Sequence, residues 1–158
     1  MTTTPLTAKG AQRLRAELYQ LEHTERAKAT EAVVAARAHG DMGENPEYNA
    51  AKEEQTLVES RIAHLKARLA EARVIDTTKL QNDGHVRFGS IATVCDLDTG
   101  ATFTYQVVGE DESDINAGLI SVEAPLAREM LGKAAADLAV VNTPGGTKRY
   151  EILSVQGA

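Results

Sequence analysis

Val58, Ile62, Leu65, Leu69 and Ala72 recur at intervals of four, three, four and three residues. Only an α-helix gathers positions spaced this way into one narrow apolar stripe. Ala11, Leu14, Leu18 and Leu21 repeat the spacing upstream, and a stripe so narrow needs an apolar partner to cover it. Thr7 is a plausible N-cap for the first helix, and Gly40 stands where a left-handed C-cap glycine belongs. Asn45 suits the next N-cap and Pro46 the first helical position, where its missing N–H costs nothing. Glu47 follows at the positive end of the helix dipole. The expectation is one long helix over 7–40 and a second from 46, joined by about five residues and so folded back antiparallel. At 1.5 Å per residue each arm spans roughly 40–50 Å. The middle of the first arm, Thr24 to Lys28, is polar, and small residues (Ala32, Val33, Ala35, Ala36) follow.

Past Ile75 the heptad stops. Asp76 to Gly84 reads as a polar connector, and from Val86 apolar residues alternate with polar ones. That period of two predicts strands over 90–95, 102–108, 119–122, 139–141 and 150–155. Asp98-Thr99-Gly100 and Pro144-Gly145-Gly146 are turn sequences between hairpin partners. One short helix, Pro125 to Leu131, is closed by Gly132. The fold class is therefore α+β: an antiparallel helical hairpin (coiled coil) over 1–75, a connector over 76–84, and an antiparallel sheet with one short helix over 85–158.

Charge separates the same two regions. Residues 1–75 carry 11 Lys and Arg against 11 Asp and Glu, whereas 76–158 carry 6 against 12, which accounts for the whole net charge of −6. That balance argues against free binding to duplex nucleic acid, where neutralising phosphates dominates affinity. With two Phe, four Tyr and no Trp, an aromatic-lined small-molecule pocket is less expected than a surface that grips a macromolecule. A single cysteine, Cys95, excludes an intramolecular disulfide and fits a reducing compartment. The N-terminus has no signal-peptide pattern, and no apolar run reaches the ~20 residues of a membrane helix. The expectation is a soluble cytoplasmic protein.

Chemistry concentrates between the two helices, where Asp41 and Glu44 lie three residues apart. Two carboxylates can share one Mg²⁺, but Mg²⁺ takes six oxygens, so a partner or a substrate phosphate must supply the rest. Spacing alone leaves a plainer reading open, since Asp after a helix-ending Gly is ordinary turn chemistry and Glu before a helix is electrostatically favoured. Gly145-Gly146-Thr147-Lys148 lacks the upstream glycine of a phosphate loop and reads as a turn. His23, His39, His64 and His85 are scattered away from metal-ligand spacing. Cys95 reads as a small core residue, and Glu110-Asp111-Glu112-Ser113-Asp114 as a solvated loop.

The run Ala36-Arg37-Ala38-His39-Gly40-Asp41-Met42-Gly43-Glu44-Asn45-Pro46-Glu47-Tyr48-Asn49-Ala50-Ala51-Lys52-Glu53 resembles the tip signature of the bacterial Gre transcript-cleavage factors. The likeness extends to Leu6-Thr7, Val74-Ile75-Asp76, Leu119-Ile120-Ser121-Val122, Pro125-Leu126-Ala127-Arg128 and Thr143-Pro144-Gly145-Gly146. It implies a coiled-coil finger that enters the secondary channel of RNA polymerase and an FKBP-like domain that docks at the channel rim through Ser121, Pro125 and Arg128. The family has no cofactor of its own and no small-molecule substrate. Asp41 and Glu44 would act in trans, sharing Mg²⁺ with the polymerase active centre to hydrolyse backtracked RNA. Arg37, Lys52 and Tyr48 would meet the extruded RNA 3′ end; the plainer alternative is an ordinary solvated Lys/Arg face, for which Glu31 and Glu53 are available partners.

Met42 in place of Leu, Gly43 in place of a frequent Lys, and Pro46 in place of a small residue depart from the signature without touching the acids. Ala124 replaces the family's usual Ser and removes the best N-cap for the short helix. A charge-balanced finger fits the GreA branch better than the more basic GreB branch. Rival readings are a channel-binding homologue that inhibits the polymerase, a passive coiled-coil adaptor, and an FKBP-type prolyl isomerase. The last is disfavoured because only Phe88, Phe103, Tyr105 and Tyr150 could furnish its aromatic pocket.

Overall fold

The structure, a computed structural model, describes residues 3–38, 45–79 and 83–157. The chain forms two compact units, a helical one over 12–71 and a sheet unit built from 1–11 and 72–158.

In the helical unit, α1 (Ala8–Gln20) passes through a π-helical turn, Leu21–Glu25, into α2 (Arg26–Arg37), and α3 (Pro46–Glu71) returns. Ala29 packs on Val58 and Ile62 with Leu18 and Leu21 alongside, while Val33 and Ala36 pack on Ala51 and Tyr48. Contacts that climb one arm as they descend the other make the pair antiparallel, as its short connection requires. The π turn accounts for a slip in the seam. Continued from Leu21, the four–three rhythm would reach Lys28, Ala32 and Ala35, but the buried positions are Ala29, Val33 and Ala36, each one residue later. A π turn holds one residue more than an α turn, and that residue rotates the seam from Lys28, Ala32 and Ala35 to Ala29, Val33 and Ala36.

Ion pairs flank this seam. Arg26 clasps Glu59 through Nε and Nη2 at 2.7 and 3.0 Å, and Arg61 clasps Glu17 in the same forked way at 2.9 and 3.0 Å. Lys66 lies 3.4 Å from Glu22. All keep partial exposure to solvent, so they set register more than they add stability, at ~1 kcal/mol or less each.

In the sheet unit, β1 (Thr4–Thr7) pairs in parallel with β2 (Ala72–Ile75). Ala72, read from sequence as the last step of the heptad, instead opens this strand directly after α3. The main sheet comprises β3 (Ile91–Asp96), β4 (Thr102–Val108), β5 (Leu119–Ser121), β6 (Leu138–Thr143) and β7 (Gly146–Gln156), in the order β5-β4-β3-β7-β6. The expected wholly antiparallel sheet is corrected to a mixed one, because β5 lies parallel to β4. The reason is the connection over 109–118, where two 3-10 turns, Glu110–Glu112 and Ile115–Ala117, carry the chain back before it re-enters the sheet.

The helix α4 (Pro125–Met130) closes one face. Ala127 and Met130 bury against Val86, Ala92, Val94, Val107, Ile120, Ala139 and Ile152. Gly132, at φ 83°, ends this helix in the left-handed region and donates its N–H to the Val86 carbonyl at 2.8 Å. Burial alternates along β3, placing Ala92, Val94 and Asp96 inside. Cys95 therefore belongs to the other face and is half-buried, not the core residue expected from sequence. Between β6 and β7, Thr143 pairs with Gly146 across a tight turn, as the Pro-Gly-Gly sequence implies.

Candidate functional site

Asp41 and Glu44 lie outside the described residues, as do His39, Gly40, Met42 and Gly43. What the structure describes is the pair of shoulders between which they are strung. On the first, α2 runs to Arg37, and the Ala38 N–H reaches back to the Val34 carbonyl at 3.3 Å. On the second, Asn45 caps α3: its Oδ1 accepts the Glu47 N–H at 3.0 Å and the Tyr48 N–H at 3.3 Å. The Asn45 Nδ2 donates to the Ala36 carbonyl at 2.9 Å. One amide thus satisfies N–H groups at the start of α3 and a carbonyl at the end of α2. This bond ties the shoulders together across the segment that bears both acids.

Tyr48 is half-buried against Val33, Ala36 and Ala51, and the Arg37 guanidinium lies over its ring, 5.9 Å from the centroid. This is a cation–π arrangement that steadies the cation while leaving its charge free for an anion. Lys52, one turn beyond Tyr48, is exposed, with its Nζ 3.4 Å from Gln55 Oε1. The structure therefore brings Arg37 and Tyr48 together, whereas Lys52 turns aside from them. Among the described residues no carboxylate pairs with Arg37 or Lys52, and both side chains are exposed, an arrangement that a solvated basic face shares.

Ser121 ends β5, Pro125 opens α4 and Arg128 lies in the last turn of that helix. Ser121 Oγ accepts the Glu123 N–H at 3.1 Å, and its carbonyl accepts the Ala124 N–H at 2.9 Å. Ala124 supplies no side-chain cap, as its methyl dictates, and Pro125 occupies the first turn of α4. Pro125 and Arg128 are exposed.

One residue escaped the sequence reading. Glu112, taken with its acidic neighbours for a solvated loop, is only 2 % exposed. Its Oε2 accepts the Thr7 N–H at 2.7 Å and the Gly109 N–H at 2.9 Å, and its Oε1 takes the Thr7 hydroxyl. Thr7 Oγ1 in turn accepts the Gly10 N–H at 2.9 Å, the N-cap bond expected of it. No period or motif marks Glu112 among Glu110, Asp111 and Asp114; the faint signal is Gly109, three residues upstream, where a Cβ would strike the Pro5 carbonyl.

Among the described residues no three His, Cys, Asp or Glu side chains gather as a metal site. No helix among them is long and apolar enough to cross a membrane.

Residues 4–74 match the family pattern of the transcription elongation factor N-terminal domain, and residues 81–157 that of the GreA/GreB transcription elongation factor C-terminal domain. Transcription elongation factor GreA of Methylococcus capsulatus is 49 % identical over 99 % of this chain and 99 % of its own. GreA of Legionella pneumophila (strain Lens) is 48 % identical over 99 % of this chain and 98 % of its own. Among solved structures, GreA factor homolog 1 (Gfh1) of Thermus thermophilus aligns over 98 % of this chain and 99 % of that one, at 24 % identity and a TM-score of 0.45. With both halves matched and near-half identity over almost the full length, the chain belongs to the GreA/GreB family of transcription elongation factors.

Proposed function

We propose that this chain works on RNA polymerase in trans, its helical hairpin carrying Asp41 and Glu44 through the secondary channel to stimulate hydrolysis of backtracked RNA. On this reading it rescues arrested complexes without being an enzyme itself, and it does so in the cytoplasm. The single observation that supports the reading best is the clasp between the shoulders. Asn45 bonds to Ala36 while Ala36 and Ala51 pack together, so the hairpin is closed up to the segment holding both acids.

Two carboxylates three residues apart are a fitting but incomplete donor set for Mg²⁺, which suits a site shared with another protein. When bound there, Mg²⁺ supplies Lewis acidity and lowers the pKa of an attacking water. The chain's own part is to bring negative charge to that place and withdraw it again. Arg37, steadied on the Tyr48 ring, and Lys52 would hold phosphates of the extruded RNA 3′ end. Ser121, Pro125 and Arg128 would meet the channel rim.

The test is Asp41→Asn combined with Glu44→Gln, assayed on purified, artificially backtracked polymerase. The variant is expected to bind within about 3-fold of the unmodified chain and to lose cleavage stimulation by about 100-fold or more, because it deletes charge needed in the transition state. Cleavage unchanged by the double substitution would sink the proposal. A Gre-like inhibitor would bind and yield no cleavage even with both acids intact.

A further inference from the structure

Glu112 is a buried carboxylate to which the proposed chemistry gives no task, and every partner it is seen to hold is a donor. Two backbone N–H groups and one hydroxyl converge on its oxygens, so its buried acceptors are satisfied by donors. Two of those donors belong to Thr7, the last residue of β1 and the cap of α1. The Thr7 hydroxyl is thus a relay, donating to Glu112 while accepting from Gly10. Gly10 itself is a matter of space: a Cβ there would sit on the Glu112 carboxyl group. From Gly10 the helix continues without a break past Gln12, where the helical unit begins.

We propose that Glu112 is a positioning residue: within the sheet unit it pins Thr7 and the first turn of α1 to the Gly109 turn, so that the helix leading toward Asp41 starts from a fixed N-terminus. The role rests on the function proposed above. It predicts a loss in how well delivered acids perform, with little loss in how tightly the protein binds.

The test compares Glu112→Gln, Thr7→Val and Thr7→Ser in the full chain, beside the Asp41→Asn, Glu44→Gln variant. Glutamine keeps the shape but turns one acceptor into a donor facing donors. Amide exchange at Thr7 and Gly109 is expected to quicken about 10-fold or more in Glu112→Gln. Cleavage at saturating factor is expected to fall about 10-fold while the Kd for polymerase moves by less than about 3-fold. Thr7→Val, which removes only the hydroxyl, should show the same split, Thr7→Ser should restore the wild-type rate, and the Glu112→Gln, Thr7→Val pair should be non-additive.

Wild-type saturating cleavage in both Glu112→Gln and Thr7→Val would overturn the proposal, as would parallel losses of binding and cleavage. Should Glu112→Gln fail to fold, the Thr7 pair decides. Should the unmodified chain stimulate no cleavage, the function reading falls, and the exchange data alone decide the clasp: unchanged exchange overturns it, and faster exchange upholds it.

Discussion

Asn45 has three hydrogen bonds on one side chain, and they serve two helices. Its Oδ1 accepts from Glu47 and Tyr48, and its Nδ2 donates to Ala36. The two functions are chemically separable. Asn45→Asp keeps the accepting oxygen and adds charge at the positive end of α3, but it cannot donate to Ala36. Asn45→Ala loses both. We expect Asn45→Ala to cost about 1–2 kcal/mol in urea unfolding followed by helical circular dichroism, the usual range for a lost N-cap, and Asn45→Asp to cost less. Equal losses in the two variants would mean that the capping bonds contribute nothing and the link to Ala36 everything. Asn45 was legible in the sequence because Asn before Pro-Glu is a helix start whatever surrounds it. Glu112 was not, because its burial depends on Thr7 and Gly10, a hundred residues away along the chain.

Each arm's existence could be read from the spacing of Leu14, Leu18 and Leu21 or of Val58, Ile62 and Leu65, but the phase between them could not. Leu21-Glu22-His23-Thr24-Glu25 has no feature that announces a π turn, yet that turn decides that Val33 and Ala36, rather than Ala32 and Ala35, face α3. Strands were equally legible from alternation, whereas the parallel entry of β5 depends on how the loop over 109–118 folds. Once the phase is set, Glu17 meets Arg61, whose hydrogen bond holds the Glu17 carboxyl below its usual range, more than offsetting its partial desolvation. A carboxylate lowered in the folded state contributes stability above its ordinary pKa and loses it as pH falls toward the folded value. The helical unit should therefore weaken on acidification below about pH 4.5, the ordinary glutamate value. Glu17→Gln should flatten that acid limb while costing only about 0.2–1 kcal/mol at neutral pH, since the pair is solvent-exposed. Thermal melts of both proteins between neutral and acid pH measure it, and an equally steep acid limb in Glu17→Gln would exclude the pair as its source.

Over the whole molecule, charge and core divide along nearly the same line. The apolar cluster of Val94, Val107, Met130 and Ile152 serves the sheet unit, and separate clusters around Val58 and Ala51 serve the hairpin. Sequence placed the change near Ile75, where the period shifts; the structure draws Thr4–Thr7 into the sheet unit as well, because β1 pairs with β2. Pro5, which cannot donate to a ladder, concealed that strand. The net charge of −6 resides in 76–158, while the hairpin region has equal numbers of acids and bases. Three of those bases are committed to pairs between the arms: Arg26 to Glu59, Arg61 to Glu17, Lys66 to Glu22. A protein that gripped a duplex directly would need several uncommitted cations along one face, and its affinity would fall steeply with salt. This chain should instead show no saturable binding to a ~20-bp DNA duplex below about 100 µM at ~150 mM salt, the weak end of non-specific association. Fluorescence anisotropy with a labelled duplex decides the point. Micromolar binding that weakens sharply with salt would place nucleic acid, rather than a protein that already holds it, as the chain's first contact.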